Sequence, residues 1–147
     1  MLEIGDELGI VPQLELWGFS KNLHRLGECV GVAMETGHPK ACVLADVFHL
    51  YKGGSDFHGI RLLNDAIQVL HINDYPGDVP RANINDSQRV YPGDGTAPIV
   101  DLLKLLRRNG KQLVVSLEVF NRAYWAKDAA EVASTGLAKI KSVLAKV

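Results

Sequence analysis

The fold is decided by residues 112–120, whose sequence is Gln112-Leu113-Val114-Val115-Ser116-Leu117-Glu118-Val119-Phe120. This run is almost continuously apolar and carries one carboxylate near its carboxyl end. Such runs are typical of parallel strands that are buried on both faces. A buried carboxylate is costly unless it binds a metal ion or a polar partner. The segment therefore predicts a buried parallel strand that delivers Glu118 to a functional site.

Three other strand-like runs carry a polar residue at the same end. Residues 10–17 contain Glu15, residues 41–46 end on Asp46, and residues 67–73 contain His71. The carboxyl ends of parallel strands lie at one edge of a sheet, where the active sites of α/β barrels are found. Together with Glu118, four strands thus each supply one possible metal ligand to the same edge.

The segments between these strands have helical spacing of apolar residues. Helices are predicted over residues 23–36, 57–66, 98–108 and from 128 to the carboxyl terminus, with Asn109-Gly110 capping the third. Residues 1–8 have the pattern of a helix end, residues 47–55 of a loop, and residues 74–97 of a long loop, which in a compact domain is usually functional. The order βαβαβαβα predicts an α/β fold with four parallel βα units joined by right-handed crossovers.

Composition predicts one globular domain over residues 1–147. Lys and Arg total 16 against 17 Asp and Glu, a net charge of −1, which gives no indication of a nucleic-acid or membrane surface. We see no apolar segment near the roughly 20 residues that span a bilayer, and no signal-peptide pattern. Cys29 and Cys42 are expected to be packed thiols without a disulfide, so we expect a cytoplasmic protein.

Five ordered motifs resemble the xylose-isomerase-like TIM barrels, and more narrowly the sugar phosphate isomerases and epimerases. The resemblance covers nearly the whole chain and corresponds to strands five to eight, the second half of a (β/α)8 barrel. The motifs are 15–19 (Glu-Leu-Trp-Gly-Phe), 46–54 (Asp-Val-Phe-His-Leu-Tyr-Lys-Gly-Gly), 71–74 (His-Ile-Asn-Asp), 89–95 (Arg-Val-Tyr-Pro-Gly-Asp-Gly) and 116–121 (Ser-Leu-Glu-Val-Phe-Asn).

The resemblance implies one divalent metal, held by four side chains, and two residues that contact substrate oxygens, His49 and Arg89. Trp17 and Phe120 are candidate pocket walls. Three carboxylates and an imidazole suit Mn²⁺ or Mg²⁺, with Co²⁺ or Zn²⁺ as alternatives. The metal ligands implied by the resemblance are Glu15, Asp46, His71 and Glu118.

The chemistry implied is isomerisation or epimerisation of a small carbohydrate: a sugar, an inosose or a sugar phosphate. A divalent metal stabilises the enediolate that forms when a proton leaves the carbon beside a carbonyl. Glu15 and Glu118, on opposite sides of the metal, are the predicted acid–base pair. Because coordination lowers the basicity of a carboxylate, this mechanism depends on the second oxygen of each Glu.

Simpler interpretations remain open for each residue. A carboxylate at a strand end is most often a helix N-cap or part of a salt bridge at the rim. Arg89 would pin the long loop by pairing with Asp86 or Asp94, and Asp74 is more typical of an Asx turn than of a metal ligand. A zinc enzyme like endonuclease IV acting on DNA is disfavoured, because Arg89 stands where that class needs a zinc ligand. Half a barrel also exposes two strand edges. We therefore expect self-association, or an amino-terminal half that closes the barrel, with an inactive half-barrel as the alternative.

Overall fold

The computed structural model describes residues 1–63, 66–107 and 112–147, and within them the predicted parallel sheet is confirmed. All three strand pairings are parallel, and the spatial order β1-β2-β3-β4 follows the order along the chain. The chain is therefore an arc of four βα units with right-handed crossovers as the expected connection. The strands are β1 (Leu14–Glu15), β2 (Val43–Asp46), β3 (Ile67–Ile72) and β4 (Val114–Leu117).

Helices cover one side of this arc. Among the described residues, Phe57–Leu62 and Asp86–Gln88 form short 3-10 helices in the connections that follow β2 and β3. No helix in the described ranges is long and apolar enough to cross a membrane. The α-helices are α1 (Leu2–Leu8), α2 (Leu26–Glu35), α3 (Val47–Gly53), α4 (Ile99–Leu106), α5 (Arg122–Trp125) and α6 (Ala129–Leu144).

The core lies between the sheet and the helices. Helix α4 contributes the four residues that its spacing predicts, since Ile99, Leu102, Leu103 and Leu106 are all buried. Strand β3 buries Leu70 and Ile72 completely, on the faces that alternate with His71. Because successive side chains of a strand point to opposite faces, Leu70 and Ile72 pack against the helices, and His71 between them points to the face that carries the site. Both cysteines are buried free thiols, as expected.

Strand register brings the predicted ligands to one level. Glu15 on β1 is paired with Leu44 on β2. Asp46 on β2 is paired with His71 on β3, and His71 is paired with Ser116 on β4. The backbone N–H of Glu118 donates to the carbonyl of Ile72 at 3.3 Å, which continues the β3–β4 ladder past the end of β4. The ends of the four strands are thereby aligned at one edge of the sheet.

The strands are shorter than the apolar runs predict. Strand β1 is predicted over residues 10–17 but is only two residues long, Leu14–Glu15. It has a partner strand on one side only, and Pro12 has no N–H to donate to a neighbouring strand. The prediction that residues 112–120 are buried on both faces is wrong. Val114 is 57% exposed and Phe120 is 40% exposed, because β4 is an edge strand of the arc.

Three helix predictions also need correction. Within the segment 47–55, which is predicted as a loop, residues Val47–Gly53 form α3, whose N-cap is Asp46. Helix 57–66 is a 3-10 helix that ends at Leu62, and the predicted Asn109-Gly110 cap lies outside the described residues. In α6 the spacing predicts an inward face of Val132, Leu137, Ile140, Val143 and Leu144. Ile140 and Val143 are buried as predicted, whereas Leu137 and Leu144 are exposed and Gly136 is buried.

The long segment 74–97 is ordered around one buried carboxylate. Asp74 is 1% exposed and accepts N–H hydrogen bonds from Gly93 at 3.0 Å, Gly95 at 3.0 Å and Ala97 at 2.8 Å. It also pairs with Val90 in an isolated antiparallel bridge. Asp74 is therefore the anchor of the whole segment, a wider role than the predicted Asx turn, and it fixes the position of Arg89.

Candidate metal centre

The four predicted ligands meet at the carboxyl edge of the sheet. One ligand atom from each of four side chains lies within 4.8 Å of all the others. Two ligands on opposite sides of a Zn²⁺ or Mg²⁺ ion are separated by twice the bond length, about 4.2 Å. The cluster is thus close to the size that one divalent cation requires. Its members are Glu15, Asp46, His71 and Glu118.

The imidazole of His71 stands between two of the carboxylates. Its Nδ1 atom lies 3.1 Å from Oε1 of Glu15 and 3.5 Å from Oε1 of Glu118. Hydrogen bonds that its N–H donates to Glu118 and Glu15 raise the pKa of His71 to about 10. The same contact with His71 lowers the pKa of Glu118 to about 2. A proton on Nδ1 therefore occupies the point on which the carboxylates converge, where a cation would bind.

Asp46 is the deepest member of the cluster and is fully buried. Its Oδ1 accepts the backbone N–H of His49 at 2.7 Å, and its Oδ2 accepts from Asn73 at 2.8 Å and from Arg89 at 3.1 Å. A carboxylate has about four acceptor sites, so three bonds leave one for a cation. Burial raises the pKa of Asp46 to about 7, an effect that Arg89 opposes. Asp46 is thus both the N-cap of α3 and a possible ligand, two roles that its sequence position did not distinguish.

Arg89 is 1% exposed and lies directly behind the carboxylates. Its Nη1 donates to Glu118 at 2.8 Å as well as to Asp46, and its Nε donates to Asp86 at 3.0 Å. The pairing of Arg89 with Asp86 agrees with the simpler interpretation of this residue, but the contacts with Asp46 and Glu118 place it in the site as well. Asp94, the other predicted partner, pairs with Lys139.

His49 lies on the floor of the site and is 5% exposed. Its Nε2 is 3.0 Å from Nη2 of Arg89, and its Nδ1 is 3.3 Å from the backbone nitrogen of Gly18. Burial, reinforced by the charge of Arg89, lowers the pKa of His49 to about 4. The ring is therefore neutral at physiological pH and has one acceptor nitrogen, for which the Gly18 N–H at Nδ1 and the Arg89 donor at Nε2 compete.

A cleft of about 230 Å³ opens beside the cluster. Trp17, which is 55% exposed, and Phe120, which is 40% exposed, both line it. The cleft therefore combines an apolar rim with a floor of charged groups. Its lining residues are Glu15, Trp17, His49, Asp86, Arg89, Glu118 and Phe120.

Sequence reasoning missed two supporting residues. Asn73 is fully buried and bridges two elements: its Oδ1 accepts from the backbone N–H of Phe48 at 2.9 Å, while its Nδ2 holds Asp46. Asn121 caps α5 and donates to the backbone carbonyl of Arg89 at 3.0 Å. Both lie beside predicted ligands in the quoted motifs, but single residues give no spacing from which a role can be predicted.

The fit to a divalent cation rests on the donor set. Three carboxylates and one imidazole give oxygen and nitrogen donors from rigid strand ends, and three N–H donors fix the most buried carboxylate. The residues present therefore fit one divalent metal ion.

Two curated relatives that match this chain are inosose isomerases. The chain is 26% identical over 146 residues to an inosose isomerase of Halalkalibacterium halodurans and 25% identical to one of Bacillus subtilis. Each alignment covers 98% of this chain, and the chain spans about half the length of these curated relatives, 51% and 52%.

Solved structures show the same fold. A crystal structure of IOLI protein with a binding zinc atom matches 98% of this chain and 52% of its own chain, with a TM-score of 0.86 and 24% identity. The structure of L-ribulose 3-epimerase matches 97% of this chain and 50% of its own, with a TM-score of 0.73 and 21% identity. The family model of the xylose isomerase-like TIM barrel matches residues 1–143, so this chain belongs to that family.

Proposed function

We propose that the chain forms the metal-binding half of an isomerase or epimerase that acts on a sugar, an inosose or a sugar phosphate. The observation that carries this proposal is the convergence of four ligand side chains within 4.8 Å, beside a cleft with two glutamates. The names of the similar proteins, inosose isomerase and L-ribulose 3-epimerase, support the same reaction class.

The residues that would hold the metal are the same four, with Mn²⁺ or Mg²⁺ as the ions their oxygen-rich set favours and Co²⁺ or Zn²⁺ as alternatives. The relative with a zinc atom supports a divalent ion of this kind. When bound, such an ion supplies Lewis acidity towards the carbonyl and neighbouring hydroxyl oxygens of a substrate. The members are Glu15, Asp46, His71 and Glu118.

Glu15 and Glu118 are the proposed acid–base pair. They approach Nδ1 of His71 from β1 and β4, the two outer strands of the arc, so a substrate between them presents different faces to each. One carboxylate removes the proton beside the carbonyl to give an enediolate, and a proton is then returned to the neighbouring carbon or to the opposite face of the same carbon. Either outcome is redox-neutral and needs no further reactant.

The two glutamates are not equivalent. Oε2 of Glu118 accepts from Arg89 at 2.8 Å, whereas the side chain of Glu15 is 40% exposed at the cleft. Glu15 therefore has the freer second oxygen for proton transfer. Trp17 would cover the apolar face of the substrate at the rim, and His49 would face it from the floor of the cleft.

The site as a whole would be completed by four further βα units. The arc has β1 and β4 as its edges, and Val114, Phe120 and Trp125 are exposed near the β4 edge at 57%, 40% and 63%. The inosose isomerase of Halalkalibacterium halodurans and the IOLI protein are each about twice as long as the part that this chain matches. We propose that these edges pair with an amino-terminal half-barrel or with a second copy of the chain. A half-barrel that binds metal but has no activity alone is the alternative.

The test is hydrogen exchange at carbon. The protein is loaded with Mn²⁺ and incubated in D₂O with a panel of ketoses, inososes and their phosphates, and deuterium at the carbon beside the carbonyl is measured by NMR. We expect wash-in with at least one member of the panel. Wild-type protein that binds Mn²⁺ but exchanges none of the panel, alone and in a closed assembly, would contradict the proposed function.

Glu118→Gln is the matched variant. It keeps one oxygen as a possible metal ligand and replaces the other by an NH2 group that cannot act as a base, so we expect some metal to be retained and deuterium wash-in to be lost. Glu35→Gln, at the exposed end of α2, is the control and should exchange at the wild-type rate. Exchange at the wild-type rate in Glu118→Gln would show that Glu118 is not a catalytic residue.

A further inference from the structure

One lysine stands between two of the loops that line the cleft. The ammonium of Lys52, in the last turn of α3, donates to the backbone carbonyl of Arg81 at 3.0 Å and to that of Ala82 at 2.9 Å. Its Nζ also lies 4.8 Å from the ring centre of Phe19, a distance at which a cation is attracted to an aromatic face. Lys52 therefore contacts both the segment 74–97 and the loop that follows β1.

The two carbonyls belong to an exposed turn of the long segment. This turn, residues 80–84, is closed by two backbone N–H groups that donate to the carbonyl of Pro80, at 2.9 and 3.1 Å. Among the described residues, no backbone N–H bonds to the carbonyls of Arg81 and Ala82. Lysine side chains are suited to such free carbonyls, because one ammonium carries three donors. Lys52 thus ties the turn to α3.

The loop that follows β1 packs on the same part of α3. A Cβ on Gly18 would lie 2.7 Å from the Cβ of Lys52, so only a glycine brings the loop backbone this close. The ring centre of Phe19 lies 6.0 Å from that of Trp17 and 6.1 Å from that of His49. Phe19 therefore connects the ammonium with two residues that line the cleft.

From these contacts we propose that Lys52 is a positioning residue that sets the width of the cleft. It holds the segment that carries Asp86 and the loop that carries Trp17, and both of these residues line the cleft, whereas Lys52 does not. Loss of the ammonium would move two walls of the cleft without removing a metal ligand. The inference rests on the proposed function, since the cleft is where its substrate would bind.

The link between the loops can be tested without a substrate, by limited digestion with trypsin. The peptide bond after Arg81 lies in the turn that Lys52 holds, and its cleavage requires local opening of that turn. Lys52→Met keeps the aliphatic stem but removes the donors, so we expect cleavage after Arg81 to accelerate about tenfold. Cleavage after Lys141, in α6, should keep its wild-type rate. Lys104→Met, on the exposed face of α4, is the control and should be cleaved like the wild type at both sites.

Two further variants distinguish a link between loops from a general loss of stability. Lys52→Arg keeps a cationic donor and should restore slow cleavage after Arg81. Phe19→Leu removes the aromatic face under the ammonium and should accelerate this cleavage about threefold, the scale of an exposed cation–π contact. A protein with both Phe19→Leu and Lys52→Met should be cleaved no faster than Lys52→Met alone, because both changes act through one ammonium.

Three results of digestion would overturn the link. They are unchanged cleavage of Lys52→Met after Arg81, equal acceleration after Arg81 and Lys141, and additive effects of Phe19→Leu and Lys52→Met. Equal acceleration at both sites would show that Lys52 acts on the stability of the whole fold, which the urea midpoint measures independently.

The role in the cleft has its own measurement. In an active assembly we expect Lys52→Met to raise KM several-fold and to change kcat less, because the walls of the cleft move while the metal ligands stay. Lys52→Arg should restore KM, and an unchanged KM in Lys52→Met would overturn the role in the cleft. If cleavage after Arg81 accelerates as expected but the wild type exchanges deuterium into no substrate, the link between the loops holds and the proposed function alone is contradicted.

Discussion

The Nδ1 atom of His71 lies 3.1 Å from Oε1 of Glu15, a residue 56 positions earlier in the chain. The contact spans the sheet from β1 to β3, with β2 between them. Oε1 of Glu118 approaches the same nitrogen to 3.5 Å from the other side. In the metal-free protein a proton holds these groups together, so the proton and a cation compete for one position.

This competition predicts a pH-dependent metal affinity. Because the pKa of His71 is raised to about 10, binding at about pH 8–9 must displace one proton, and affinity should rise about tenfold per pH unit there. Below about pH 7 the carboxyl of Asp46, whose pKa is about 7, adds a second proton and steepens the dependence. Calorimetry in buffers of different ionisation enthalpy measures the released protons directly. A pH-independent affinity would show that His71 is not a ligand.

The stability of the metal-free protein should have the opposite pH dependence. The folded protein retains the His71 proton up to a pKa of about 10, whereas the unfolded chain releases it near 6.5. This stabilisation is therefore fully present below about pH 6.5 and is lost as the pH rises through about 10. We expect the free energy of unfolding in chelator to fall by about 1 kcal/mol between pH 6 and 9, a small value because the cluster is partly open to solvent.

Urea denaturation at the two pH values measures this difference, and His71→Gln is its control. The variant has no imidazole to titrate, so subtracting its pH dependence removes the contribution of every other group. If the free energy of unfolding changed equally with pH in the wild type and in His71→Gln, the proton on His71 would not stabilise the fold.

The strand ends could be predicted from sequence because two local signals coincide. Apolar runs give the strands, and one polar residue at the end of each gives the site, since parallel strands share an edge. Both signals are local, and the four residues that they identify lie together in the structure. Strand lengths were not predictable in this way. Strands β1 and β4 each have a partner on one side only, and this depends on the order of strands in the whole sheet.

The surroundings of the ligands could not be predicted for a different reason. Arg89 and Asn73 act through bonds to residues 43 and 27 positions away, and such distances have no fixed spacing in sequence. Asp46 shows the same limit, because a helix N-cap and a metal ligand require the same residue at the same place. Only the backbone geometry of β2, β3 and α3 shows that the carboxylate of Asp46, which caps α3, also lies in the cluster of candidate ligands.

We expect the free energy of unfolding to depend strongly on the carboxylate of Asp74. Its oxygens accept from the N–H groups of Gly93, Gly95 and Ala97, and Gly95 has no room for a side chain, because a Cβ there would overlap the carbonyl of Tyr75. Asp74→Asn replaces one acceptor by a donor that faces other donors. We expect a loss of about 3 kcal/mol, the scale of hydrogen bonds to a buried charge.

The measurement is the free energy of unfolding in urea, with Asp78→Asn as the matched control. Asp78 is exposed in the same segment, and its substitution should change stability by less than about 0.5 kcal/mol. If Asp74→Asn were as stable as Asp78→Asn, the segment 74–97 would not depend on this carboxylate for its order.

We expect substitution of Asn73 to lower both the free energy of unfolding and the affinity for metal. It donates to Asp46 at 2.8 Å and accepts from the N–H of Phe48 at 2.9 Å, and all three groups are buried. Asn73→Ala leaves a backbone N–H unpaired and removes one of the donors that fix Asp46. We expect a loss of about 2 kcal/mol in the free energy of unfolding, together with about tenfold weaker metal binding.

The exposed Asn83→Ala, in the long segment 74–97, should change neither quantity and serves as the control. Asn73→Asp distinguishes the two effects, because it keeps the acceptor for Phe48 but sets a second carboxyl against Asp46 at hydrogen-bond distance. Two carboxyls so close share one proton at neutral pH, so we expect metal binding by Asn73→Asp to require a higher pH than in the wild type. Unchanged metal affinity in both Asn73 variants would show that Asp46 is fixed by Arg89 and the His49 N–H alone.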